Sequence, residues 1–266
     1  MPLWYNSSGK QSRSGWRVAN FHRDSLSSDV YFCCPGPSLS SIDASKLNGP
    51  GRIVVAVNNA YPYVKPDIWF GMDDPDCYSR QIFWESFIKI LRGGYQSRTC
   101  ENKRVDLNYN VFYADTQRYQ NKNVIFSRDN EELPFMWKKN VMVTALHVLV
   151  WMGMRRVFFL GCDLDNSKAD YHHGQELAEK NKKWNGQLYR DLNQFMNWFS
   201  KTGVTRGVDS ISCSKPSKLN DYMQYMDVEE AIKISESGIP FGGELTHTLD
   251  IEADEEAAYI KGAKSV

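Results

Sequence analysis

The sequence contains no C-x-x-C pair, no P-loop and no G-x-G-x-x-G fingerprint. Its six cysteines, Cys33, Cys34, Cys77, Cys100, Cys162 and Cys213, are therefore spaced for neither a zinc knuckle nor a dithiol redox motif. Three of them lie in or beside apolar runs, the pattern of buried, reduced thiols in a cytosolic protein. Net charge is missing too, because 32 basic and 32 acidic side chains cancel to +0. No global field draws the chain toward DNA, RNA or an anionic membrane, which disfavours duplex nucleic acid as a partner while leaving room for a local basic patch. No apolar run reaches the roughly 18 residues that would span a bilayer, and the N-terminus lacks a basic-then-apolar signal. The expectation is a cytoplasmic protein with no membrane span.

What is present is ordinary for a globular chain of 266 residues, with 42% hydrophobic and 24% charged side chains. Aromatic residues make up 13%, with eight Trp and fourteen Tyr, enough for a substantial core and some aromatic surface. Three regions are expected. Residues 1–28, rich in Ser, Arg and Asn with scattered aromatics, read as an irregular N-terminal arm. Residues 29–240 read as one Rossmann-like nucleotide-binding domain, and 241–266 as a C-terminal tail. The aromatic ends hint at a homo-oligomer.

The domain alternates apolar runs with helix-like segments. Val30–Cys34, Arg52–Val57, Ile68–Gly71, Arg156–Cys162 and Val208–Ser212 read as strands, with Val111–Ala114 and Asn123–Phe126 as weaker candidates. These runs are continuous and β-branched or aromatic rather than alternating, as in strands buried on both faces of a parallel sheet. Helices are expected over Cys77–Leu91, Val141–Met152, Gln175–Ser200 and Asp227–Ser235, with a further start near Ser40 or Ser41. The fold class is α/β: an open, mostly parallel Rossmann-like sheet with helices on both faces. Ligands of such sheets sit beyond the carboxyl ends of the strands.

The candidate site residues follow from that rule. After the first strand come Pro35, Gly36, Pro37 and Ser38, a stiff turn in which the Gly36 amide and Ser38 hydroxyl can meet an anion; the plainer reading is an ordinary strand-to-helix turn. Asn58 and Asn59 end the second strand, where an amide can read a base or ribose, or simply make a turn. Asp73 and Asp74 end the third and can act as base, orient a hydroxyl, hold a metal, or cap a helix. The Asp163-x-Asp165 pair is similar to the metal-binding motif of one large glycosyltransferase class. His172 and His173 are candidate acid–base residues or surface histidines. Ser214, Lys215, Ser217 and Lys218 form a turn whose lysines can neutralise a diphosphate.

In this order the segments resemble the bacterial sialyltransferase-like superfamily. They also resemble a related domain of unknown function found in archaeal 6-hydroxymethylpterin pyrophosphokinases, flagellin-glycosylation accessory factors and phage proteins. The family turn Gly-x-Gly-Pro-Ser-Leu reads here Cys34-Pro35-Gly36-Pro37-Ser38-Leu39. Asn58 matches the second-strand Asn, Asp73 the third-strand acid or amide, Val141–Asp163 the buried helix and Gly-x-Asp strand, and Ser214–Leu219 the late Ser/Pro turn. The resemblance spans residues 29–233. It implies a nucleotide held by Gly36, Ser38 and Asn58, with His172 or His173 as the base; the strand-end reading adds Pro37, Asn59, Asp163, Ser214, Lys215 and Ser217 as nucleotide contacts and Asp73 and Asp74 as catalytic candidates. Two departures stand out: Pro35 replaces an Asn of the sialyltransferases, and Lys139-Asn140-Val141 replaces their Thr-Ser-Gly.

The leading expectation is a glycosyltransferase-like enzyme moving a sugar from a nucleotide sugar to an acceptor hydroxyl on a glycan, small molecule or modified nucleobase. No cofactor is required for it. The short chain resembles phage versions of the family, which would place it in the host cytoplasm. The alternatives are a pyrophosphokinase using magnesium through Asp73, Asp74, Asp163 and Asp165, and a non-catalytic nucleotide-binding module.

Overall fold

The computed structural model describes residues 3–7, 10–12, 29–61, 63–95, 97–105, 110–126, 134–165 and 179–237. In chain order the strands are β1 (Leu3–Ser7), β2 (Lys10–Ser12), β3 (Asp29–Cys33), β4 (Arg52–Val57), β5 (Ile68–Gly71), β6 (Ile88–Arg92), β7 (Thr99–Cys100), β8 (Lys103–Arg104), β9 (Val111–Ala114), β10 (Thr116–Gln117), β11 (Phe135–Met136), β12 (Arg156–Leu160), β13 (Asp209–Ser212) and β14 (Gln224–Tyr225). The α-helices are α1 (Gln81–Trp84), α2 (Val141–Trp151), α3 (Glu179–Thr205) and α4 (Val228–Ser237).

The main sheet has the order β14-β13-β12-β3-β4-β5-β6-β9-β1-β2. From β14 to β9 every neighbouring pair is parallel. The N-terminal arm is not irregular throughout, since β1 adds antiparallel to β9 and β2 to β1. The C-terminal tail, 241–266, lies outside the described residues. Among the described residues no helix is long and apolar enough to cross a membrane.

Side-chain alternation divides each strand between two cores. Phe32, Val55, Val57, Phe70 and Phe159 face α2 and α3, where they meet Leu146, Leu149, Phe195 and Phe199. Tyr31, Val54, Trp69 and Phe158 face the other way, against Ile82 and Phe83 of α1 and Ala231 and Ile232 of α4. Both faces being covered explains why the strand sequences are continuously apolar. α2 is buried at every position from Val141 to Val150, as its all-round apolar sequence predicts. At the amino ends of the strands Arg156 forks onto Asp29 with two 2.7 Å bonds, and Ser235 of α4 donates to the same carboxylate at 2.5 Å. That buried pair joins β3, β12 and α4 at the edge opposite the candidate site.

Three expected elements differ. The helix over Cys77–Leu91 is instead a 3-10 turn (Pro75–Cys77), the short α1, and strand β6. Ile88 and Ile90 face one core while Lys89 turns into the opposite layer, where its ammonium bonds to the carbonyls of Glu85 and Phe87. Burial lowers the Lys89 pKa to about 8. A buried lysine inside a strand is what hid it, since lysine is rarely so placed. Asn123–Phe126 is a 3-10 helix (Lys122–Phe126) begun by an Asn121 side chain that accepts from Asn123 N–H, with Phe126 stacked on Phe199 at 5.3 Å. A three-residue apolar run, Val124–Phe126, does not distinguish the two states. Near Ser40 and Ser41 there is no α-helix, only the 3-10 turns Pro37–Ser41 and Ala44–Lys46. Both hydroxyls bond back to the carbonyls three residues earlier, which competes with helix extension.

Candidate functional site

The chain lays down β3, β4, β5, β6 and β9 in one direction, then returns to place β12 on the far side of β3. Strand order reverses between β3 and β12, and the connections leaving their carboxyl ends diverge, which opens a crevice. A cleft of about 230 Å³ lies there. It is lined by the Cys34–Pro37 turn after β3, Asn58 after β4, Asp73 after β5, and Gly161–Asp165 after β12. Trp137 and Lys139–Met142 ahead of and within α2, with Leu188, Tyr189 and Leu192 of α3, complete the wall.

The β3 turn is held by close backbone approach. A Cβ on Gly36 would sit 2.3 Å from the carbonyl oxygen of Gly161 and 2.8 Å from Asp163 Oδ2. Gly161 has φ +65, and a Cβ there would meet the Cys34 carbonyl oxygen at 2.1 Å. Only glycine fits either position. Gly36 N–H donates to the Gly161 carbonyl at 2.9 Å. Ser38 N–H donates to Asp163 Oδ2 at 2.8 Å, and the Ser38 hydroxyl donates to Oδ1. The donors expected to face a ligand are thus turned inward, with the Asp163 carboxylate in the place expected for an anion. Gly36 and Pro37 line the cleft, whereas Ser38 is buried behind it.

The turn after β13 braces the same loop. Ser214 Oγ accepts from Gly161 N–H at 2.9 Å, Ser217 Oγ donates to the Cys162 carbonyl at 2.6 Å, and Lys218 N–H donates to the Asp163 carbonyl at 3.0 Å. Ser214 and Ser217 are buried, Lys215 and Lys218 are exposed, and none of the four lines the cleft. Ser214, Ser217 and the Lys218 amide thus support the β12 loop, and Lys215 lies apart from the cleft.

Asn58 takes a left-handed conformation (φ 47) and lines the cleft. The Tyr78 hydroxyl accepts from Asp73 N–H at 3.2 Å and donates to Asn58 Oδ1 at 3.0 Å, while Trp69 Nε1 donates to the Asn58 carbonyl at 2.8 Å. With Oδ1 engaged, the Asn58 NH2 is the group left to read a ligand. Asn59 is exposed and away from the cleft. Asp73 stands at the rim. The protein around its carboxyl raises its pKa above the usual carboxylate range, with the Tyr78 hydroxyl acting in the opposite sense. Asp74 instead accepts from Asp76 N–H at 3.3 Å, capping its own turn, and faces Arg98 at 3.6 Å. His172 and His173 lie outside the described residues.

The magnesium arrangement through Asp73, Asp74, Asp163 and Asp165 is not assembled. Asp163 is committed to Ser38 and Asp74 to its own turn. Among the described residues no group of three or more His, Cys, Asp or Glu side chains is placed to hold a metal ion. Five of the six cysteines are buried and all six are free, with Cys77 exposed.

The lip formed by Trp137, Lys139 and Asn140 was not among the expected site residues. Asn140 Oδ1 accepts from Met142 N–H at 2.8 Å as the N-cap of α2, a signal present in the sequence as an Asn before an apolar run. The strand before it is pinned from inside. His147 Nδ1 accepts from Met136 N–H at 2.8 Å, and Thr144 Oγ1 donates to the Met136 carbonyl at 2.9 Å. Asp163→Asn is expected to lower stability by about 1–3 kcal/mol, because an amide offers one acceptor to two buried Ser38 donors. Urea denaturation measures it, and an unchanged midpoint would mean the clamp adds nothing to the folded state.

No known protein-family pattern matches the chain, and no curated protein matches its sequence. Among solved structures it is similar to a point variant of the sialyltransferase Cst-II in complex with CMP, at 14% identity over 73% of this chain and 84% of that one, with a TM-score of 0.44. It is also similar to the sialyltransferase CstII from Campylobacter jejuni in complex with the substrate analogue CMP-3FNeuAc, at 14% identity over 74% of this chain and 85% of that one, TM-score 0.43. A third similarity is to sialyltransferase CST-II in complex with trisaccharide acceptor and CMP, at 13% identity over 74% and 85% of the two chains, TM-score 0.39. The chain's own fold is an open α/β sheet of Rossmann-like type with a cleft at its strand-order reversal.

Proposed function

We propose that the cleft binds a nucleotide sugar and that the protein transfers the sugar to an acceptor hydroxyl. The observation that carries the reading is the convergence of an oriented Asn58 amide and the rim carboxyl of Asp73 on a cleft of about 230 Å³ at the strand-order reversal. The ordered motifs from the β3 turn to the β13 turn support it. Asn58 would hold base or ribose. The Gly36–Pro37 turn, held by Asp163 and Ser38, would form the floor. A base would take the acceptor proton as the sugar bond forms and the nucleotide leaves with its phosphate. Asp73, whose raised pKa brings it closer to the working range of a base, is one candidate, and His172 and His173 are the others.

The test is nucleotide release from a panel of nucleotide sugars, with magnesium or with chelator. The expected result is slow release from one donor that survives chelation and falls at least tenfold in Asp73→Asn or in His172→Ala with His173→Ala. Release that requires magnesium, or AMP formed from ATP with a pterin present, would overturn the metal-independent transfer reading. Thermal stabilisation by a nucleotide with no turnover against any acceptor would leave a binding module instead.

A further inference from the structure

The sequence offers Lys215 and Lys218 as counter-charges for a phosphate, and the fold places neither in the cleft. Lys139 is the single cationic side chain among the described residues that line it. It shares that wall with Asp73, Asp163 and Asp165, a lining that would repel a phosphorylated ligand without a cation present. Lys139 has no carboxylate within ion-pair distance among the described residues. Its charge is therefore available to a ligand.

Its position is set by its neighbours. Trp137 N–H donates to the Gln117 carbonyl at 2.8 Å, Met136 is held by His147 and Thr144, and Asn140 caps α2. Between these anchors Lys139 takes a left-handed backbone (φ 55), unusual for a lysine. It sits one residue ahead of the Asn140 N-cap of α2, whose first amides add positive potential of the same sign.

We propose that Lys139 is the phosphate-binding cation of this cleft and that the ligand it selects is a 5′-phosphorylated nucleoside rather than a free nucleoside. The inference rests on the nucleotide-binding reading above and sharpens it. During transfer the same ammonium would stay paired with the phosphate that leaves with the nucleotide, as the sugar–oxygen bond breaks.

The experiment is calorimetric titration of four nucleosides and their 5′-monophosphates into the full chain, repeated with Lys139→Gln, Lys139→Arg and Lys215→Gln. For one base, the wild type is expected to bind the monophosphate at least tenfold more tightly than the nucleoside. Lys139→Gln should remove about tenfold of that preference and leave nucleoside affinity unchanged. Lys139→Arg should retain it, and Lys215→Gln should match the wild type. Added salt should weaken monophosphate binding less in Lys139→Gln than in the wild type. Nucleotide binding whose phosphate preference is untouched in Lys139→Gln would overturn this inference and leave the nucleotide reading standing. No binding by any member of the panel would overturn both.

Discussion

Acidification from pH 6.5 toward pH 3 is expected to strip up to roughly 4–5 kcal/mol of stability through His147 alone. Burial inside α2 lowers this imidazole's pKa from 6.5 to about 3, with a bond to the Val124 backbone acting weakly in the opposite sense. The folded pKa lies below the unfolded one, so within that window the unfolded chain binds a proton that the folded chain refuses. Stability is therefore intact above about pH 6.5 and falls as pH drops toward 3. Asp67, Asp73 and Asp209 oppose the trend, since partial desolvation by the surrounding protein raises their carboxyl pKa values and they take up protons more readily when folded. A comparison with His147→Asn isolates the histidine, because the amide oxygen can still accept from Met136 N–H but does not titrate. Urea midpoints at pH 7, 5 and 4 should fall steeply in the wild type and more shallowly in the variant. Parallel profiles would refute the assignment. The effect reaches the site, because His147 and Thr144 hold the strand that leads to Trp137 and Lys139. Ligand affinity should therefore decline over the same pH range as stability.

What the sequence revealed and what it concealed divide along physical lines. Strand ends were legible because burial on both sheet faces forces continuous apolar runs that stop at polar residues, and Arg52–Val57, Ile68–Gly71 and Val111–Ala114 form as read. The Gly36–Pro37 turn, Asn58 and Asp73 were placed at the cleft for the same reason. Roles were less legible than places. The bond from Ser38 to Asp163 joins residues 125 apart in sequence, and no local pattern says that the carboxylate will occupy the turn's donors. Lys139 was hidden because a lysine pair before a helix normally reads as a solvated surface. Its place at the cleft is set by tertiary contacts such as the bond from Met136 N–H to His147, eleven residues away. Asp74 caps its own turn and the two serines after β13 brace the β12 loop, and neither role was legible because capping and bracing use the same side-chain chemistry as binding.

Gly36→Ala is the substitution expected to damage the site most directly. The new methyl would need the space already filled by the Gly161 carbonyl, at 2.3 Å, and by Asp163 Oδ2, at 2.8 Å. The first neighbour is backbone, so it cannot move by a rotamer change. Gly161 is itself confined by the Cys34 carbonyl and by Ser214, which accepts its N–H. Relief must come from pushing the β3 turn away from the β12 loop. That movement stretches Gly36 N–H from Gly161 and both Ser38 donors from Asp163. Overpacking of this kind costs about 1–3 kcal/mol, and leaving buried donors unsatisfied costs about 1–3 kcal/mol for each group. If the strain is absorbed without movement, overpacking alone costs about 1–3 kcal/mol. If the turn moves, the stretched donors add to that cost for a loss of roughly 4 kcal/mol, and the cleft floor shifts, so ligand affinity should fall at least a hundredfold. Measuring both denaturation and ligand affinity on the same preparation tells the two responses apart. A Gly36→Ala protein with wild-type stability and wild-type affinity would show that the β3 turn and the β12 loop do not meet as closely as this geometry requires.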